Sequence, residues 1–270
     1  MILVDGLQSA VISADDRGLA YGDGVFRTLA MRNGIAEQWP LHFAKMAADC
    51  RALGIEPPRE SDLRQDLERI AATCSDCALR ITVTRGSGGR GYASASAPVT
   101  RRMVAASPLP DYPQSWQVHG VVARYCLVRL AVQPRLAGIK HLNRLENVLA
   151  RAEWTDLDIA EGLLLDTDDN VIEGTRSNLF LVEGQGLVTP DLTRCGVAGV
   201  TRDRVIAAAA RQGVSCRIER ISTARLEAAQ EIFLVNSLIG VWPVAVLGER
   251  RWTDLAMGAR VRKWLDDRTS

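Results

Sequence analysis

Apolar residues recur at helical spacing at Phe43, Met46, Ala47, Cys50 and Leu53, with Gly54 placed to terminate the run, and this pattern predicts an amphipathic helix. The period then changes from 3.6 to 2. Leu79, Ile81 and Val83 alternate with Arg80, Thr82 and Thr84, as in a half-buried strand. The run Gly86-Ser87-Gly88-Gly89-Arg90-Gly91 forces a loop, and residues 103–106 read as the next strand. Pro108, Pro110 and Pro113 interrupt any ladder before the apolar stretch at Trp116, so the expected division is a small N-terminal α/β domain over 1–107, a linker over 108–115 and a larger domain over 116–270. Within the larger domain, residues 118–128 read as strands. Leu142, Leu145, Leu149 and Ala152 form a helical stripe, 163–165 and 178–182 are strands, 205–211 is an alanine-rich helix before Gly213, and 231–235 is a further strand. The class is α/β in two domains, without internal repeats.

Composition narrows the function. With 47% hydrophobic and 24% charged residues in 270, the chain can bury a sizeable core and is not disordered. A net charge of +1 and the lack of a Lys/Arg block give no field that would collect nucleic acid or an anionic membrane. No run of ~20 apolar residues is present, and the opening Met-Ile-Leu-Val-Asp-Gly lacks the basic and long apolar regions of a signal peptide. A cytoplasmic protein with a small-molecule site is expected. Six scattered cysteines read as reduced thiols. Cys74-x-x-Cys77 invites a zinc or redox reading, but zinc would need further ligands, and His42, His119 and His141 are the only histidines, so no metal is expected.

Three lysines, Lys45, Lys140 and Lys263, stand against thirty arginines. Lys263 fits a solvated helix face, and so does Lys45. Lys140 follows the small-residue run Leu136-Ala137-Gly138-Ile139 and precedes a helix. It is either a surface lysine or an amine at a cavity edge, where desolvation lowers its proton affinity and makes it a Schiff-base nucleophile. Gly199-Val200-Thr201 precedes a helix, where unpaired amides suit an anion or an ordinary cap. Glu173, before a glycine, reads by itself as a turn residue.

Four ordered motifs change these readings: Asp16-Arg17-Gly18-Leu19-Ala20-Tyr21-Gly22-Asp23-Gly24-Val25-Phe26, Gly138-Ile139-Lys140-His141-Leu142-Asn143, Glu173-Gly174-Thr175-Arg176-Ser177-Asn178-Leu179-Phe180, and Gly199-Val200-Thr201-Arg202. In this order and spacing they resemble those of fold-type IV pyridoxal-5′-phosphate (PLP) enzymes over nearly the whole chain. The resemblance implies a small α/β domain, a larger domain with a mixed sheet or pseudo-barrel, and a homodimer. It makes Lys140 the lysine that carries PLP and later moves protons, and Glu173 the carboxylate at the pyridine nitrogen. Asn178, Val200, Thr201 and Ser237 are placed around the cofactor, with Ser237 standing where relatives usually have a threonine at the phosphate. In His42-Phe43-Ala44-Lys45-Met46, Lys45 occupies the place of a phosphate-binding arginine, keeping the charge without the bidentate fork.

Within the family, Arg27-Thr28-Leu29, the run from Thr84 to Tyr92 and the run from Ala137 to Glu146 resemble the aminodeoxychorismate lyases. The implied reaction converts 4-amino-4-deoxychorismate to 4-aminobenzoate and pyruvate. Its substrate carries two carboxylates, so Thr28, Arg85, Arg90 and Arg144 are candidate contacts, with loop solubility and helix-surface charge as the plain alternative for the arginines. An aminotransferase of D-amino or branched-chain amino acids on the same scaffold is the nearest competing reading, and a PLP-binding protein without turnover is a more distant one.

Overall fold

A computed structural model describes residues 1–266. The chain forms two compact units, one of residues 1–111 with 139–143, the other, within the described residues, of 112–138 with 144–266. Residues 139–143, which carry Lys140, therefore pack with the N-terminal unit although they follow 27 residues of the other.

The first unit contains β1 (Ile2–Val4), β2 (Leu7–Gln8), α1 (Arg17–Tyr21), β3 (Gly24–Arg32), β4 (Ile35–Ala36), α2 (Trp39–Ala52), α3 (Glu60–Ala71), β5 (Cys77–Thr84) and β6 (Arg101–Ser107). Its six strands pair antiparallel in the order β2-β1-β6-β5-β3-β4. The predicted alternation in β5 holds for Leu79, Ile81 and Val83, which are fully buried. Thr84 is buried as well, because its hydroxyl donates to the Asp16 carboxylate at 2.9 Å. Helix α2 starts with Pro40 in its first turn, where the missing N–H costs nothing, and packs on β3. Its buried face includes the expected Met46, Ala47 and Cys50 and is wider than the apolar pattern. Phe43 is only half-buried, whereas His42, Met46 and Asp49, at i, i+4 and i+7, turn inward.

The second unit contains α4 (Ser115–His119), β7 (Val121–Leu130), α5 (Leu145–Arg151), β8 (Ile159–Asp166), β9 (Val171–Gly174), β10 (Asn178–Glu183), β11 (Gly186–Pro190), α6 (Val200–Arg211), β12 (Cys216–Glu219), α7 (Thr223–Ala228), β13 (Glu231–Asn236), β14 (Gly240–Leu247), β15 (Arg250–Arg251) and α8 (Ala256–Asp266). Eight of its strands run β12-β11-β10-β13-β14-β7-β8-β9 in a mixed sheet, and β15 pairs with β14. Val118, expected in a strand, lies in α4. Tyr112 and Trp116 both meet Trp242 edge-on, at 4.8 and 4.9 Å between ring centroids, which fixes residues 112–116 to this unit. The stripe Leu145 and Leu149 does form a helix, but both side chains are exposed, and the buried residue of α5 is Ala150.

Among the described residues, no helix is long and apolar enough to cross a membrane, no group of three or more His, Cys, Asp or Glu is placed to hold a metal, and the six cysteines are free thiols.

Helix α8 is docked through a buried acid. Glu231 accepts the amides of Met257 at 2.8 Å and Gly258 at 2.6 Å. Burial outweighs these two donors and raises the Glu231 pKa above its ordinary value. Folding thus favours the protonated acid, a contribution complete below the unfolded pKa and lost as pH rises through the folded one. Because Glu231→Gln stays neutral throughout, wild-type unfolding free energy minus that of the variant should fall as pH rises from below about 4 in chemical denaturation series, and a difference that grows with pH would overturn this account.

Candidate active site

In the first unit, residues 139–143 lie antiparallel to the start of β3. Phe26 N–H donates to the Lys140 carbonyl and Leu142 N–H to that of Gly24, both at 2.9 Å, and His141 bridges to Val25. The Lys140 N–H donates to Asp49 Oδ2 at 3.1 Å. Both main-chain polar groups of the lysine are therefore engaged, and its Nζ stands 4.5 Å from the Phe26 ring centroid. Asn143 donates to the Gly22 carbonyl at 3.1 Å. Gly22 ends α1 at φ 65°, and a Cβ there would come within 2.5 Å of Asn143 Oδ1, so the motif needs glycine at this point.

Asp49 is one of three buried acids of this unit, with Asp16 and Asp66. It is ion-paired with Arg27, with side chains 8% and 3% exposed. Burial raises its pKa despite Arg27, the Lys140 amide, Lys45 and the Lys140 amine, all of which favour the charged form. Thr28 follows two residues after Phe26 in β3 and so shares its face of the sheet.

The glycine loop after β5 is held by arginines. Arg17 Nε donates to Asp23 at 2.9 Å, and its other nitrogens reach the carbonyls of Gly91, Tyr92 and Ala93 at 3.0–3.2 Å. Arg85 donates to both oxygens of Asp23, at 2.8 and 3.1 Å, and to the carbonyls of Leu53 and Gly54. Burial of Asp23 is outweighed by Arg85 and Arg17, which hold its pKa below the usual value. Arg85, expected at the substrate, has a scaffold position, while Arg90 is exposed in the loop.

In the second unit, Glu173 is the next-to-last residue of β9 and Asn178 begins β10. Glu173 Oε2 accepts the Val197 amide at 2.8 Å. Asn178 donates to the Val197 carbonyl at 2.7 Å and accepts the Gly199 amide at 3.1 Å. A Cβ on Gly199 would fall 2.4 Å from Asn178 Oδ1, so only glycine lets the asparagine approach this closely. Two side chains thus fix the residues entering α6, whose N-cap Gly199 provides no side-chain cap. The Thr201 and Ser237 hydroxyls lie 3.4 Å apart. A helix N-terminus with two adjacent hydroxyls can receive a phosphate. Arg144 stands at the N-cap of α5, half-buried.

Glu161, absent from the sequence reading, organises the turn between Glu173 and Asn178. Only 1% exposed, it accepts the Thr175 hydroxyl and amide, the Ser177 hydroxyl at 2.8 Å and the Gly162 amide at 3.0 Å. An acid between Ala160 and Gly162 in an otherwise apolar strand was the available signal.

The model of the amino-transferase class IV family matches residues 24–247. An aminodeoxychorismate lyase of Vibrio harveyi is 36% identical over 91% of this chain and 90% of its own. A putative branched-chain-amino-acid aminotransferase of Methanocaldococcus jannaschii is 28% identical over 95% of this chain and 89% of its own. Among solved structures, the 4-amino-4-deoxychorismate lyase of Pseudomonas aeruginosa superposes with a TM-score of 0.95 at 46% identity, covering 100% of this chain and 99% of that one.

Asn178→Ala should leave the Val197 carbonyl and Gly199 amide unsatisfied and cost about 1–3 kcal/mol of stability. The cost would show as a lower denaturation midpoint together with faster hydrogen exchange at Gly199. An unchanged midpoint and unchanged exchange would mean that Asn178 does not hold this segment.

Proposed function

The chain belongs to the amino-transferase class IV family, and on that premise we propose that it is a PLP-dependent lyase that converts 4-amino-4-deoxychorismate to 4-aminobenzoate and pyruvate. The carrying observation is the likeness, over the full chain, to a solved lyase of that substrate. Fold type IV, inferred from the motifs, is the fold of this protein.

The residues fit the cofactor. Gly199, Val200 and Thr201 with Ser237 supply amides and hydroxyls suited to its phosphate, and Lys45 adds positive charge in the place of the usual arginine. Glu173, fixed by the Val197 amide, is the carboxylate for the pyridine nitrogen. Lys140, anchored at both main-chain groups, is the amine that holds the cofactor. When bound, PLP draws electrons from the substrate carbon that bears the amino group. Lys140 Nζ takes the proton from that carbon and returns one to the departing enolpyruvyl group. Aromatisation of the remaining ring drives the cleavage forward.

Thr28 and Arg90, with Arg144, are the proposed contacts to the substrate and its carboxylates, and Arg85 supports the loop instead. A homodimer is the proposed assembly. Leu145, Val148 and Leu149 are 68%, 61% and 54% exposed along α5, an apolar face that a second copy would cover. Six free thiols support a reducing, cytoplasmic setting.

Given 4-amino-4-deoxychorismate and no keto acid, the enzyme should release pyruvate and 4-aminobenzoate in equal amounts over many turnovers. Product that appears only with a keto acid, or far faster turnover of D-alanine or a branched-chain amino acid, would replace the lyase with an aminotransferase. Borohydride reduction of the PLP-loaded protein should leave the label on the peptide containing Lys140. A protein that stays colourless with PLP, or a label on Lys45 or Lys263, would remove Lys140 from this role.

A further inference from the structure

Under the proposed reaction Lys140 must be held still and must also exchange a proton, and the buried charges beside it bear on both. Asp49 connects three elements: its own helix α2, the Lys140 amide of residues 139–143 at 3.1 Å, and Arg27 of β3 by an ion pair. Arg27 and Asp49 are 22 residues apart in sequence, and Asp49 and Lys140 are 91 apart, so the link exists only in the fold.

The titratable and charged groups that act on this carboxylate are Arg27 from β3, Lys45 and the adjacent Cys50 from α2, and Lys140; buried His42 lies two turns earlier on α2, and His141 follows Lys140 beside β3. From β5, the Arg80 guanidinium stands 4.2 Å from the centroid of Phe26, the ring that Lys140 Nζ also approaches. A carboxylate alone in such a place would hold the lysine proton tightly, and a guanidinium alone would expel it. As a pair they nearly cancel, while the carboxylate still accepts the Lys140 amide. Charges this buried are little screened by salt, so a change in either should be felt at the amine.

We propose that Asp49, balanced by Arg27, is a positioning residue that fixes the main chain of Lys140 and sets the proton affinity of its amine. The catalytic relevance of this device rests on Lys140 being the cofactor lysine, whereas the device itself does not.

The chain has three lysines, so reductive ¹³C-methylation of the full-length protein freed of PLP yields three titratable lysine NMR signals besides that of the N-terminal amine, assigned with Lys45→Arg and Lys263→Arg variants. Asp49→Asn should lower the Lys140 pKa by about one unit or more and Arg27→Gln should raise it comparably, since a neighbouring charge shifts a pKa by ~1–3 units. Arg27→Lys should restore the wild-type titration, and Arg27→Gln/Asp49→Asn should return it to within about half a unit. Exchange of the Lys140 amide should quicken in Asp49→Ala but not in Asp49→Asn, which keeps the acceptor. Single variants that shift Lys140 in the same direction, or not at all, would overturn the proposal. Should a single variant fail to fold, the doubly neutral variant decides, because neutralising both members of a buried pair is far better tolerated than removing one. A Lys140 pKa displaced there by more than about one unit would overturn it. Protein that never takes up PLP but shows these opposite shifts would refute the lyase reading alone. Active enzyme with unmoved shifts would refute this proposal alone.

Discussion

The hydrogen bonds at the main chain of Lys140 are the constraint on which the proposed chemistry of the first unit depends. Phe26 takes its carbonyl and Asp49 its amide, so the peptide carrying Lys140 is bonded on one side to β3 and on the other to α2. A lysine has four rotatable side-chain bonds and loses about 2 kcal/mol of rotamer freedom when fixed, so a rigid base is what keeps that loss from being compounded by backbone motion. The cost is a carboxylate kept out of water, which Arg27 offsets. Removing one member of such a pair is expected to cost about 3–5 kcal/mol, because the other is left buried and uncompensated.

The second unit also buries acids against main-chain amides. Glu173, Glu161 and Glu231 are each at most 3% exposed, and each accepts main-chain amides. Charge-assisted bonds to backbone N–H groups are among the stronger hydrogen bonds available, and an acid that receives several can remain in an apolar interior. Glu161 sets the turn from which Glu173 and Asn178 emerge, and those two fix residues 197–199 at the entry to α6. Distortion at Glu161 would therefore be passed through two sets of short bonds to the amides at the helix start, although Glu161 itself need touch no ligand.

How much of this was legible in the sequence depended on whether the cause was local. The strand at Leu79, Ile81 and Val83 was readable because alternation is a property of neighbouring residues, and the helix from Phe43 for the same reason. Its apolar face at Met46, Ala47 and Cys50 is buried as read, but the burial of the polar His42 and Asp49 beside it was not legible. What turns them inward lies in β3 and residues 139–143, beyond any local window. The apolar stripe of α5 was legible as a helix, but its exposure was not, since periodicity reports a face and not what covers it. Val118 was placed in a strand because the apolar run continues through the boundary at Gly120 between α4 and β7.

The motif residues themselves divide by what they touch. Asp16 caps α1 and receives the Thr84 hydroxyl, Arg17 gathers the carbonyls of residues 91–93, and Asp23 joins Arg17 to Arg85. A motif read as a signature of chemistry is here mostly a framework for a glycine-rich loop, whose backbone has little preference of its own and must be held by side chains. Arg90 can then remain exposed at the loop while the loop stays placed, because the guanidinium of Arg17 lies beneath it. In the run around Lys140, His141 likewise bridges to β3 and Asn143 bonds to Gly22, while the Lys140 side chain is the one proposed to meet the cofactor. Matching residues to a family therefore identifies the frame and the reacting group together, and only the bonding pattern tells them apart.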